Sequence, residues 1–119
     1  MSKTTMELYQ EDALERSPGR GMLTPSVQAV SKEFLGKELT IRQLRLFPYL
    51  YFTMVDDQII ESKRINGEEM ATLEAWEDEN YLLLAPHNQN IRIVEMSFRF
   101  WSFISEVLFL SYVYREKKV

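Results

Sequence analysis

The chain has 119 residues, of which 45% are hydrophobic and 13% aromatic, enough for one domain with its own core and too apolar for a disordered segment. It contains no cysteine, which excludes disulfides, thiolate metal sites and a cysteine nucleophile and suits a reducing, cytoplasmic setting. Its net charge of −4 weighs against nucleic acid as a partner, because that binding draws on cationic contacts to phosphate.

Residues 1–23 are expected to form a flexible amino-terminal arm, and residues 24–119 a single helical domain. No apolar run follows Lys3, so the start does not resemble a signal peptide. Met6, Leu8, Tyr9 and Leu14 give one or two helical turns of apolar pattern before the breaker Ser17-Pro18-Gly19-Arg20-Gly21. The first helix opens at Thr24, a good cap, with Pro25 at the first helical position. Val27, Val30, Phe34 and Leu35 share one face, and Gly36 supplies the stop.

A second helix starts at Thr40, with Ile41, Leu44 and Phe47 or Pro48 facing inward. Pro48 should break or kink it near Leu44, since proline lacks a donor and crowds the carbonyl four residues back. A further helical piece is expected from about Pro48 to Ile60, with a strand as the competing reading of its aromatic stretch. The third helix has the strongest local signal. Asn66 and Glu69 make a capping box, Ile65 and Met70 a hydrophobic staple, and Met70, Leu73 and Trp76 the buried stripe.

The period then changes. Tyr81 to Ala85 and Ile91 to Val94 alternate as short strands around Pro86-His87-Asn88-Gln89-Asn90, which predicts a β-hairpin with a loop of about five residues. The last helix runs from Ser97 to about Tyr114. Glu95, Arg99, Ser102 and Glu106 form its one polar stripe, and most of the rest is large and apolar. Such a helix must be covered most of the way round. Arg99 and Glu106 argue against its crossing a membrane.

The fold class is therefore mainly α (α+β): four to five helices, one short β-hairpin at about residues 81–94, and a largely buried C-terminal helix. Helix, hairpin and helix in that order are winged-helix-like.

Three groups of residues are candidates for contact with other molecules. Phe100, Trp101, Phe103, Val107 and Leu110 on the last helix are the expected partner or subunit interface, which points toward a homodimer. Arg42, Arg45, Lys63 and Arg64 could form a basic contact patch. Glu74, Glu77 and Asp78 could form an acidic docking face, within a span from Arg64 to Arg92 that has no intervening Lys or Arg. Asp56, Asp57 and Glu61 gather carboxylates near a helix end, and His87, the one histidine, sits in a turn. Neither brings the remaining ligands of a metal site, and no phosphate loop or nucleophile elbow is present. No catalytic residue, metal or cofactor is expected.

In Leu39-Thr40-Ile41-Arg42-Gln43-Leu44-Arg45-Leu46-Phe47-Pro48-Tyr49, in Arg64-Ile65-Asn66-Gly67-Glu68-Glu69 with Trp76, and in Phe100-Trp101, the chain resembles small proteins encoded by tailed phages and prophages. The resemblance covers roughly residues 39–113 and implies a protein that works in the host cytoplasm. The function expected is a non-enzymatic protein–protein interaction module, an accessory factor binding a host or phage protein. The rival is a winged-helix-like DNA-binding regulator.

Overall fold

The computed structural model describes residues 22–113. The arm up to residue 21 and the C-terminal residues from Tyr114 onward lie outside the described residues. Four helices and a three-stranded antiparallel sheet make up the described part, an α+β arrangement.

Helix α1 spans Pro25–Leu35, and the Thr24 side chain accepts from the Val27 N–H at its start. It stops where Gly36 adopts φ +78°, a left-handed conformation that glycine enters without a β-carbon penalty. Leu23, placed by the sequence in the arm, packs partly buried against the core.

Helix α2 spans Ile41–Val55 without interruption, opened by a complete capping box between Thr40 and Gln43. Two expectations are corrected here. Pro48 lies inside the helix and does not divide it, and the helical piece ends at Val55, short of Ile60. Leu44, Leu46, Phe47 and Leu50 are all buried. That burial holds the helix together across the bond Pro48 cannot donate. Ile41, expected inside, is exposed.

Past α2 the chain turns at Gln58, which takes φ +63°. Its side chain donates to the Met54 carbonyl at 2.7 Å and the Asp56 carbonyl at 3.1 Å. Its own N–H bonds the Thr53 carbonyl at 2.8 Å. These bonds satisfy helix-end carbonyls that would otherwise lack partners. Strand β1, Ile59–Ile60, follows, then a 3₁₀ turn at Ser62–Arg64. The Tyr49 hydroxyl accepts the Glu61 N–H at 2.9 Å and so pins the turn to α2.

Helix α3, Gly67–Asp78, carries the full Asn66–Glu69 capping box and buries Leu73 and Trp76. Strands β2, Leu82–His87, and β3, Asn90–Met96, form the hairpin. Its loop is shorter than expected. His87 pairs with Asn90, leaving Asn88 and Gln89 as the turn, with Asn88 at φ +56°. His87 is thus a strand-end residue, half-buried. Strand β1 pairs with the other side of β3, giving the order β1-β3-β2. Between Leu83↔Glu95 and Leu84↔Ile93 the register slips, so Val94 is the bulged residue. The Leu84 N–H instead donates to a Glu77 carboxylate oxygen at 2.7 Å.

Helix α4, Phe98–Leu108, is capped by Ser97 and passes into a π-helical turn at Phe109–Val113. Glu95 belongs to β3 and not to this helix. Arg99, Ser102 and Glu106 remain as its exposed polar stripe. The core is an aromatic cluster around Phe100. Its ring stacks on Tyr81 at 5.0 Å and meets Trp76 at 5.2 Å, while Phe103 stacks on Phe34 at 4.6 Å.

Candidate docking surface

An α-helix repeats every 3.6 residues, so a residue set at i, i+3, i+4 and i+7 occupies one stripe. Helix α2 has two such apolar sets. One runs through Leu44, Phe47 and Leu50 into the core. The other is Pro48, Tyr51, Phe52 and Val55, rotated away from it. Helix α4 with its π turn repeats the arrangement. Phe100, Phe103, Ile104 and Val107 go inward, and Ser105, Leu108, Phe109 and Tyr112 form the second stripe.

These two outer stripes lie side by side and line one groove of about 560 Å³. α2 and α4 pack together along it, with Tyr51 stacked on Trp101 at 4.7 Å and 15°. Phe52 is 63% exposed and Val55 65%, although both are large and apolar. Ser105 is the one hydroxyl in the floor apart from the tyrosines, and it donates to the Trp101 carbonyl at 2.9 Å. The Tyr112 phenol at one end is pushed above its ordinary pKa by burial, an effect partly offset by the nearby Arg45 charge. At the other end Val55 leads into the exposed Asp56 and Asp57.

The interface expected from the sequence is corrected accordingly. Phe100, Phe103, Val107 and Leu110 are at most 4% exposed and form the chain's own core, so they cannot face a partner. Trp101 alone of the five is partly exposed, on the wall shared with Tyr51. The sequence reading placed the interface on the flank of this helix that the core takes up. The helical spacing of Pro48, Tyr51, Phe52 and Val55 was the signal that would have found the groove.

The basic patch does not assemble as a bare cationic surface. Arg42 forms an ion pair with Glu68, and Lys63 and Arg64 both approach Glu61, at 3.9 and 3.1 Å. Arg45 is exposed on α2. Of the acidic face, Glu74 and Asp78 are exposed, and Glu77 is half-buried through its bond to Leu84. Together with Met70, Leu84 and Ile91 they line a smaller groove of about 440 Å³.

The Asp57 carboxylate accepts the Ile59 N–H at 3.0 Å, closing the turn after α2, while Glu61 is taken up by its two cations. His87 lies apart from them in sequence and element, at the end of β2. Among the described residues no three His, Asp or Glu side chains gather as a metal would need. Among the same residues no helix is long and apolar enough to cross a membrane. In comparisons with known proteins the chain matches no family model, no curated protein and no solved structure.

Proposed function

We propose that this chain is a non-enzymatic protein–protein interaction module and that the α2–α4 groove is its docking face. The observation that carries the reading is the pair of outer apolar stripes. A helix that lies only on its own core needs one such stripe. Two helices with a second stripe each, set side by side, suit an amphipathic segment laid between them. The π turn at Phe109–Val113, a local helix defect of the kind frequent at functional sites, falls at the end of the same groove. In this reading the protein works in the cytoplasm. The resemblance to phage-encoded proteins makes it an accessory factor that binds a host or phage protein.

A winged-helix-like DNA-binding regulator is the rival. In that architecture the helix before the hairpin enters a DNA groove. Here that helix is α3, which carries Glu68, Glu69, Glu74, Glu77 and Asp78 and no Lys or Arg. Carboxylates there would meet phosphate with like charge, which weighs against the rival.

The test is co-purification at native expression level from the cell that makes the protein. The interaction reading expects a specific protein to accompany the wild-type chain and a Phe98→Ser control and to be lost with Phe52→Asp. Retention of the same protein by Phe52→Asp would overturn the assignment of the groove. A shift of random duplex DNA at low salt, abolished by Arg42→Glu with Arg45→Glu, would favour the rival.

A further inference from the structure

We infer that the occupant of the α2–α4 groove in the isolated protein is the chain's own amino-terminal segment, residues 6–14, folded back in cis. This rests on the reading of the groove as a docking face.

The described chain begins beside the groove. The Ser111 hydroxyl donates to the Met22 carbonyl at 3.4 Å, and Ser111 adjoins Tyr112, which lines the groove end. Met22, the first described residue, is held at that end. Seven residues separate Leu14 from Met22, a reach of up to about 24 Å when extended. The groove between Pro48 and Val55 spans about 10 Å of helix. The arm is long enough to cover it with residues to spare. Ser17-Pro18-Gly19-Arg20-Gly21 supplies turn chemistry where the chain would have to reverse.

The chemistry of the segment fits. Met6, Tyr9, Ala13 and Leu14 fall near helical spacing and give one apolar face. Laid back along the groove from Met22, the stretch Glu11, Asp12, Glu15 and Arg16, net negative, would face the Arg45 end, and Lys3, with Glu7 further along, would approach Asp56 and Asp57.

The area favours a segment over a second whole copy. Phe52, Val55, Tyr51 and Phe109 expose between 39% and 65% of their surfaces. With roughly 200 Å² per large side chain, that leaves on the order of 400 Å² of apolar surface. A stable interface between two proteins buries about 800 Å² on each. A tethered segment needs less, because it meets the groove at an effective concentration in the millimolar range and loses little translational freedom. An external partner would then have to displace the arm.

The absence of cysteine allows a clean test on the full-length chain, with a nitroxide attached to Gln10→Cys and amide signals read by NMR. The inference expects signals from residues 51–55 and 105–109 to lose intensity, while those of the hairpin keep theirs. Adding Phe52→Asp, at an exposed position the fold does not need, should restore the lost signals. Uniform intensities would overturn the inference. So would the same signal loss in isotope-labelled chain that lacks the nitroxide, once it is mixed with unlabelled nitroxide-bearing chain, which would mean a second copy supplies the segment. Either result leaves the partner test above intact, since that test reads a foreign protein and its loss with Phe52→Asp.

Discussion

Replacing Phe100 by alanine, and Phe98 by alanine in a separate chain, tests the rotational setting of α4. The two phenylalanines are two residues apart on one helix, so any reasoning from composition or hydropathy treats them alike. The structure separates them completely: Phe100 is 0% exposed and Phe98 80%. Phe100 also has ring neighbours at 5.0, 5.2, 6.2, 6.3 and 6.3 Å, namely Tyr81, Trp76, Phe34, Phe47 and Phe103. Truncating a buried phenylalanine costs about 3–5 kcal/mol through lost transfer energy and the cavity left behind. The number of rings around this one places the cost toward the upper end. A domain of this size holds roughly 5–15 kcal/mol in total, so Phe100→Ala should leave it barely folded. Phe98→Ala, which loses almost no buried contact, should change stability by about 0.5 kcal/mol or less. Urea unfolding followed by tryptophan fluorescence and far-ultraviolet circular dichroism reads both. The midpoint should fall by about 1 M or more for Phe100→Ala and stay in place for Phe98→Ala, with unchanged slopes. Phe100→Leu, which keeps an apolar side chain, should cost roughly 1.5 kcal/mol and remain measurable if the alanine variant does not fold. Equal losses at positions 98 and 100 would refute the orientation of α4, and with it the groove.

Other consequences follow from local geometry. Asn66→Ala removes the acceptor of the Glu69 N–H at 2.8 Å and should cost about 1 kcal/mol in the same melts, with Asn66→Ala and Glu69→Ala less than additive because they share one capping box. Gln58→Ala should destabilise by about 1–2 kcal/mol through two lost hydrogen bonds, and Gln58→Gly by less, because glycine adopts φ +63° freely. That order reverses the usual penalty for glycine over alanine.

Burial pushes the Tyr81 and Tyr112 phenols above the ordinary tyrosine value of 10.0. At Tyr81 the nearby Glu79 charge adds to the shift. A raised pKa means that the unfolded chain releases these protons first. Their contribution to stability is therefore constant below about pH 10 and lost as pH rises beyond it. In alkaline melts, Tyr81→Phe with Tyr112→Phe should flatten that decline.

The elements with local signals were legible in the sequence. Thr24, Thr40, Asn66 and Ser97 each cap a helix as their residue type suggested, and Gly36 stops α1. The hairpin was legible from alternation, though its loop was read too long, because Pro86 and Asn90 look like turn residues in isolation and pair as strand residues in the sheet. Proline is tolerated there since β2 is an edge strand. What the sequence hid depends on contacts distant along the chain. Strand β1 has two residues and no period to detect, and it exists because β3 offers a free edge. Helix α2 runs through Pro48 because the packing of its inner face outweighs the local preference to break. In α4 almost every position is apolar, so periodicity could not say which flank the core would take. Of the acidic and basic candidates all but the half-buried Glu77 are exposed, while their pairing, Arg42 with Glu68 and Glu61 with Lys63 and Arg64, was visible only in three dimensions.

The central claim is that a polypeptide segment docks between α2 and α4. A photoreactive phenylalanine analogue installed at position 52 of the full-length chain tests this most directly, with position 98 as the exposed control. The account predicts that position 52 links to polypeptide, to residues 6–14 of the same chain in the purified protein and to a second protein in the native cell, while position 98 reacts with solvent. Reaction of both positions with solvent alone, in the purified protein and in the cell, would contradict it.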